Sequence, residues 1–126
     1  MKLLLIEPDT VLSRIYVNYF VNNNFQITPC NNSDTVLIEL EKEIPDLIIL
    51  ELQIAEHSGI ELLHELRSYE DWANIPIIIN SLVPRNNIHL NAKIMKQFYI
   101  KDYLYKPTTS LEELLASINK VIGDRA

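Results

Sequence analysis

The sequence predicts a three-layer α/β fold in which helices cover both faces of a five-stranded parallel sheet. Short apolar runs recur along the chain, and amphipathic segments separate them. Three of the runs, 3–6, 47–50 and 75–79, are apolar without interruption, which is typical of strands buried on both faces. Two weaker runs, 25–27 and 99–104, complete the set. This alternation predicts five βα units joined by right-handed crossovers, a doubly wound sheet.

Five amphipathic segments between and after these runs predict helices. Apolar residues in each segment recur every three or four positions, which is the spacing of one helix face. The segments cover about 12–19, 36–40, 60–67, 88–97 and 111–122. Asp9 is placed to cap the first helix, and Ser110 or Thr109 to cap the last. Gly123 is placed to end the last helix.

Length and composition restrict the domain organisation and the class of function. The chain has 126 residues with 18 Leu and 18 Ile, so we expect a single domain over 1–126 with its core at about 2–122. About four residues follow the last predicted helix, so we expect no output domain within these 126 residues. Two glycines are too few for a G-x-G-x-x-G dinucleotide loop, and no G-x-x-x-x-G-K-[ST] phosphate loop occurs. A net charge of −6 is a poor match to a phosphate backbone, so we expect no direct nucleic-acid partner.

The first residues and the single cysteine bear on location. The apolar start of the chain is cut off by Glu7, Pro8 and Asp9, too early for a signal-peptide core or a membrane helix. Cys30 is the one cysteine, which excludes an intrachain disulfide and a multi-cysteine metal site. We therefore expect a cytoplasmic protein that makes no membrane contact, with its thiol kept reduced.

Polar residues follow four of the predicted strands. These residues are Glu7, Glu51, Asn80 with Ser81, and Lys106. The carboxyl ends of parallel strands meet at one edge of the sheet, which is where such folds bind ligands. Two carboxylates, a hydroxyl and an ammonium group are thus expected together. Lys106 would relieve the repulsion between the two carboxylates.

Five segments, in this order and spacing, resemble a known family. They are 3–9 (LLLIEPD), 45–51 (PDLIILE), 59–63 (GIELL), 75–81 (IPIIINS) and 102–107 (DYLYKP). Over about residues 2–122 the chain resembles the receiver domain of bacterial two-component response regulators. The resemblance implies a flavodoxin-like, CheY-like sheet with strand order 2-1-3-4-5. It also implies a role in phosphorelay signal transduction.

The resemblance assigns a phospho-acceptor and a metal site, which this chain matches in part. In the family an aspartate after the third strand accepts a phosphoryl group from a histidine kinase. That aspartate, acids after the first strand and a backbone carbonyl hold Mg²⁺. The acceptor position falls on Glu51, and Glu7 and Asp9 supply the acidic pocket. Pro8 occupies the position of the family's main metal ligand, and Asp9 is predicted to cap the first helix. We expect no bound metal, or at most weak Mg²⁺ held by Glu7, Glu51 and the carbonyl of Gln53.

The resemblance also assigns the residues that respond to phosphorylation. Ser81 matches the switch hydroxyl and Tyr103 the switch aromatic, which turns inward as the hydroxyl moves. Lys106 matches the lysine that binds phosphoryl oxygens, and its bond to Pro107 is typically cis in the family. Tyr99 stands where a glycine of positive φ normally ends the fourth helix.

Glu51 has two interpretations. As a functional residue it mimics a phosphorylated aspartate, with its charge one methylene farther from the strand. As a remnant it persists because a buried Lys106 needs a partner. Residual phosphorylation on Glu51 or Asp9 is a third reading. Leu82, where the family has a small residue, leaves less room for a phosphoryl donor.

The sequence therefore predicts an atypical receiver domain that binds a protein and is not an enzyme, beyond residual phosphotransfer or autophosphatase activity. The partner would be a histidine kinase, a phosphotransfer protein or a downstream effector, and a homodimer is a further option. The expected surface is the fourth helix, fifth strand and fifth helix. It includes Lys93, Lys96, Lys101, Asp102 and some of Ile94, Met95 and Phe98. One alternative is a functional phospho-accepting regulator with Mg²⁺-dependent autophosphatase activity. A remote one is a flavodoxin-like cofactor enzyme, which the acidic loop after the first strand disfavours.

Overall fold

The computed structural model describes residues 1–54, 58–87 and 90–125. Five parallel strands form one sheet in the order β2-β1-β3-β4-β5. The strands are β1 Lys2–Ile6, β2 Gln26–Cys30, β3 Leu47–Leu50, β4 Ile77–Ser81 and β5 Ile100–Tyr105. The predicted doubly wound α/β fold and its strand order are confirmed.

Five α-helices connect or follow the strands. They are α1 Thr10–Asn22, α2 Ser33–Lys42, α3 Gly59–Arg67, α4 Ala92–Gln97 and α5 Leu111–Arg125. Within the described ranges, single 3₁₀ turns also occur at Glu70–Trp72, Arg85–Asn87 and Lys106–Thr108. None of the described helices is long and apolar enough to cross a membrane.

The sheet separates two apolar layers. Buried side chains of α1 and α5, such as Phe20 and Ile118, pack on one face of the sheet. Side chains of α2, α3 and α4, such as Leu40, Leu63 and Met95, pack on the other. Strands β1, β3 and β4 are buried almost completely, as their uninterrupted apolar runs predict, so their ends are fixed rigidly.

Helix caps agree with the sequence at both ends of the chain. The Asp9 carboxylate accepts hydrogen bonds from two backbone N–H groups of the first turn of α1, at 2.9 and 3.1 Å. Ser110 caps α5: its hydroxyl accepts from the Glu113 N–H at 3.1 Å, and the Glu113 carboxylate accepts from the Ser110 N–H at 3.2 Å. This reciprocal pair is a capping box, which decides for Ser110 over Thr109.

Some predicted boundaries are wrong. Strand β4 begins at Ile77 and extends through Ser81, and β2 runs to Cys30 beyond the short apolar stretch that marked it. Helix α4 begins at Ala92, because the Asn91 side chain accepts a hydrogen bond from the Ile94 N–H at 2.9 Å and so caps the helix there. Residues 88 and 89, where that helix was predicted to begin, lie outside the described residues.

Two expectations about backbone geometry have opposite outcomes. Tyr99 adopts a φ of 60°, the left-handed conformation predicted for the position that ends α4. Gly123 has no positive φ and does not end α5, which continues to Arg125. A glycine inside a helix costs only about 1 kcal/mol relative to alanine. A third expectation, the cis bond that the resemblance implied, is wrong: the described residues contain no cis peptide bond, so the bond between Lys106 and Pro107 is trans.

Candidate functional site

The polar residues that follow the strands converge at the carboxyl end of the sheet. Ile6 pairs with Leu50, and Leu50 pairs with Ile79, so the next residues along these strands reach the same edge. Those residues include Glu7 and Glu51, each directly after its strand. The register of four strands thus brings the predicted site residues together from distant parts of the sequence.

Lys106 bridges two carboxylates. Its Nζ lies 2.5 Å from Oε1 of Glu7 and 2.7 Å from Oε1 of Glu51. The lysine is 9% exposed and each glutamate 2% exposed, so the three charges are removed from water. We call Glu7, Glu51 and Lys106 the charged cluster. It carries one net negative charge, and the predicted contact between Glu51 and Lys106 is confirmed.

Every oxygen of the two carboxylates is hydrogen-bonded. Oε1 of Glu51 also accepts from the Leu82 N–H at 2.9 Å. Its Oε2 accepts from the Gln53 N–H at 3.0 Å and from the Ser81 hydroxyl. Oε2 of Glu7 accepts from the backbone N–H of Asp9 at 3.1 Å. These donors compensate for the hydration that the two carboxylates lose on burial.

The surroundings shift the pKa values of two members of the charged cluster. Burial is the strongest single influence on Glu51 and opposes its ionisation. Hydrogen bonds from Lys106, Ser81 and backbone N–H groups outweigh burial and lower the pKa of Glu51. Burial likewise opposes the charge of Lys106, but its bonds to Glu51 and Glu7 outweigh it and raise the lysine pKa.

The predicted switch residues lie beside the charged cluster. Ser81 is fully buried and also accepts a hydrogen bond from the Val83 N–H at 3.0 Å. Tyr103 is half-buried against the core under α4, and its hydroxyl donates to the Val83 carbonyl at 2.5 Å. Val83 therefore connects the serine to the tyrosine through its backbone.

Three other predicted site residues play smaller parts in the geometry. The Asp9 carboxylate is occupied as the cap of α1, and only the backbone N–H of Asp9 reaches the charged cluster. Gln53 contributes its N–H to Glu51, whereas the prediction concerned its carbonyl. Pro107 lies on the exposed turn that follows β5.

A buried polar pair at this edge was missed by sequence reasoning. Asn80 Nδ2 donates to the Tyr16 hydroxyl at 3.2 Å, and both side chains are buried. Burial raises the pKa of Tyr16, which also senses the charges of Lys106, Glu7 and Glu51. The signal was available, because Asn80 interrupts an apolar strand, but a single polar residue does not reveal its partner.

The response regulator receiver domain family matches residues 3–119 of this chain. The chain belongs to that family. It is 32% identical to the probable transcriptional regulator ycf29 of Pyropia yezoensis, over 97% of this chain and 53% of that protein. It is 29% identical to the sensor histidine kinase TmoS of Ectopseudomonas mendocina, over 94% of this chain and 12% of that protein. The chain thus spans about half or less of these curated relatives.

A solved structure is similar over the whole chain. The receiver domain of the Francisella response regulator 1452 superposes with a TM-score of 0.82 and is 25% identical, over 99% of this chain and 98% of that one. Receiver domains are signalling domains that interact with histidine kinases and effectors. The resemblance predicted from the motifs is therefore confirmed at the level of the family.

The magnesium site that the family implies does not fit these residues as they stand. Mg²⁺ needs about six oxygen ligands at about 2.0–2.1 Å. Here the ammonium of Lys106 lies between the two carboxylates, and N–H or O–H donors occupy all four of their oxygens. Pro8 offers no side-chain oxygen, and no group of three or more metal-ligating side chains occurs among the described residues.

The α4 and β5 part of the expected partner surface carries three exposed lysines and is partly apolar. Lys93, Lys96 and Lys101 are exposed, whereas Met95 and Phe98 are buried and Ile94 is half-buried. Asp102 is half-buried and accepts from the Ser117 hydroxyl at 2.6 Å. Of the three apolar residues whose direction the sequence left open, Ile94 is thus the most accessible.

Proposed function

We propose that this chain is a degenerate receiver domain that signals through protein–protein contacts without being phosphorylated. In this proposal Glu51 stands permanently in place of a phosphorylated acceptor. The observation that carries it is the set of donors on Glu51: the Ser81 hydroxyl, the Leu82 N–H and the Lys106 ammonium. The serine and the lysine are the groups that, in the family, bind phosphoryl oxygens.

The geometry of the two switch residues supports an activated-like state. In the family the hydroxyl moves and the aromatic turns inward on activation. Ser81 here donates to Glu51, and Tyr103 is half-buried with its hydroxyl on Val83. A carboxylate that is always present would hold this arrangement without a phosphoryl donor, so the partner-binding surface would not be under kinase control.

The charged cluster also disfavours phosphotransfer. An attacking oxygen of Glu51 would have to give up hydrogen bonds, and its side chain is one methylene longer than the usual acceptor. A misplacement of about 1 Å can cost about 10²-fold in rate. The poor fit to Mg²⁺ removes the charge neutralisation on which phosphoryl transfer depends. We therefore expect no cofactor, and Mg²⁺ at millimolar concentration should leave the melting temperature unchanged.

The partner proposed for this receiver domain is a protein: a histidine kinase, a phosphotransfer protein or an effector, with a second copy of the chain as a further option. The face of α4, β5 and α5 is the proposed surface, where Lys93, Lys96 and Lys101 are exposed. A reducing compartment such as the cytoplasm suits this role, because Cys30 is buried as a free thiol.

Incubation with acetyl phosphate and Mg²⁺, followed by intact mass spectrometry, tests the proposal. The wild type should remain unmodified. The single variant Glu51→Asp should also remain unmodified, because Pro8 supplies no carboxylate to bind Mg²⁺. The double variant Pro8→Asp/Glu51→Asp should gain one phosphoryl group and so show that the assay detects acceptance. A stable phosphoryl group on wild-type Glu51 or Asp9 would overturn the proposal in favour of a functional phospho-accepting regulator.

A further inference from the structure

Charge is distributed unevenly along this chain. Residues 31–71 contain eleven acidic and two basic residues, whereas 72–101 contain four basic residues and no acidic residue. The first stretch includes α2, α3 and the turn at 70–72, and the second includes α4 and the start of β5. Helices α2, α3 and α4 pack on the same side of the sheet. Exposed acidic residues at the end of α3 and exposed lysines of α4 therefore lie on the same side of the sheet.

The basic residue at the end of α3, Arg67, points towards the protein interior and does not neutralise the acidic residues around it. Arg67, at the end of α3, donates to the carbonyls of Trp72, Ile75 and Phe98 at 2.6–2.8 Å, and burial lowers its pKa to about 10. The guanidinium of Arg67 is therefore engaged by backbone carbonyls. The exposed residues around the end of α3 include Glu65, Tyr69, Glu70 and Asp71, which we call the acidic surface.

The lysines of α4 and β5 also lack acidic partners in the part of the chain that the structure describes. Lys93, Lys96 and Lys101 are exposed, and none of them forms an ion pair with any residue of the described ranges. The ammonium of Lys101 instead lies 3.9 Å from the centre of the Tyr99 ring. We call Lys93, Lys96 and Lys101 the basic surface.

The two surfaces are neighbours. The rings of His64 on α3 and Phe98 at the end of α4 meet edge to face with centroids 4.8 Å apart. The Arg67 Nε also donates to the Phe98 carbonyl at 2.7 Å, so the carboxyl ends of α3 and α4 are fastened together. The boundary between acidic and basic surface therefore runs between these two helices.

We propose that a second copy of this chain docks here, about a two-fold axis that runs between α3 and α4. Such an axis places the acidic surface of each copy on the basic surface of the other, and the contact is closed and self-complementary. Tyr69, which is 47% exposed, supplies an aromatic ring at the acidic surface that can meet a lysine of the partner copy.

The net charge of −6 on each copy opposes this contact but does not prevent it. At about 0.1 M salt the Debye length is about 10 Å, so distant like charges are screened while charges in contact still attract. The inference is independent of whether Glu51 is phosphorylated, because no residue of the charged cluster takes part.

Sedimentation velocity over micromolar to submillimolar concentration tests the proposal. The wild type should show a monomer–dimer equilibrium at about 0.1 M salt that weakens at about 1 M. Lys93→Glu/Lys96→Glu and Glu65→Lys/Glu70→Lys should each raise the dimer Kd by about tenfold or more, since like charges then face each other.

A mixture of these two double variants gives the decisive result. One variant then carries two acidic surfaces and the other two basic surfaces, so a heterodimer should form at concentrations where neither variant dimerises appreciably alone. Arg14→Glu on α1 is the control, because Arg14 is exposed and reversing its charge acts on the opposite face of the sheet. Circular dichroism should show that all variants fold. A wild type that stays monomeric, or a mixture that does not associate, would overturn the proposal.

Discussion

A buried lysine and a half-buried arginine lie at opposite ends of the sheet and are stabilised by different partners. Lys106 follows β5 at the carboxyl end and is bound by two carboxylates. Arg67 ends α3 and is bound by three neutral carbonyls, two of which, from Ile75 and Phe98, lie just before β4 and β5 begin. The first arrangement depends on charge and the second on shape.

The pKa values of the two cations express this difference. Burial disfavours the charged form of both. At Lys106 the carboxylates outweigh burial and raise the pKa, whereas at Arg67 burial prevails and lowers it to about 10. A cation held by carboxylates is thus coupled to their ionisation, and one held by carbonyls is not. We therefore expect a function that depends on charge at Lys106, and a role in holding the structure rigid at Arg67.

Removal of Lys106 should have the largest effect. Lys106→Met keeps the apolar stem but leaves Glu7 and Glu51 buried without a counter-ion, so we expect the free energy of unfolding at pH 7 to fall by about 3–5 kcal/mol. Chemical denaturation measures this loss. It should shrink at acid pH, where one carboxyl can be protonated. Lys120→Met at an exposed site is the control, and an equal loss in the two variants would contradict the charged cluster.

Removal of Arg67 should have the next largest effect. Arg67→Met leaves three partly buried carbonyls without their donors, and we expect a loss of about 2–3 kcal/mol. Arg67→Lys should lose less, because an ammonium can still donate to some of them. Unlike the loss in Lys106→Met, this one should be nearly constant between pH 5 and 8. A strong dependence on pH in denaturation curves would show that the arginine is coupled to a titrating group.

The decrease of the unfolding free energy at acid pH should depend on Glu51. Because the pKa of Glu51 is lowered in the folded state, its ionisation contributes stability above the ordinary glutamate pKa, and this contribution is lost as the pH falls through the lowered value. Glu51→Gln should therefore flatten the decline of the unfolding free energy as the pH falls below the ordinary glutamate pKa of about 4.3. The exposed Glu112→Gln should leave it unchanged, and a curve unaffected by Glu51→Gln would refute the assignment.

The sequence predicted the carboxyl end of the sheet better than the opposite end, and the reason is physical. Each member of the charged cluster directly follows a strand, and strands buried on both faces have a recognisable apolar signature. The convergence of Glu7, Glu51 and Lys106 therefore follows from parallel topology alone. Arg67 had no such signature, because the partners of a guanidinium that binds backbone carbonyls are not encoded in residue types.

The same reasoning explains the errors at element boundaries. Strand β2 lies at the edge of the sheet and is largely exposed, so it contains few apolar residues and only part of it was predicted. The pair of Asn80 and Tyr16 joins a strand to a helix 64 positions away, a distance over which neither residue predicts the other. Gly123 was expected to end a helix, but a glycine does so only where the backbone turns left-handed, as Tyr99 does instead.

The smallest effect should distinguish two buried hydroxyls. Ser81 donates to Glu51 within the charged cluster and accepts from the Val83 N–H, whereas Ser117 donates to the half-buried Asp102 beside α5. Ser81→Ala should cost about 1–2 kcal/mol and Ser117→Ala about 1 kcal/mol at pH 7. The loss in Ser81→Ala should diminish when it is combined with Glu51→Gln in a double-mutant cycle, because the hydroxyl then faces an uncharged acceptor. A coupling energy near zero would mean that Ser81 does not contribute to holding the Glu51 charge.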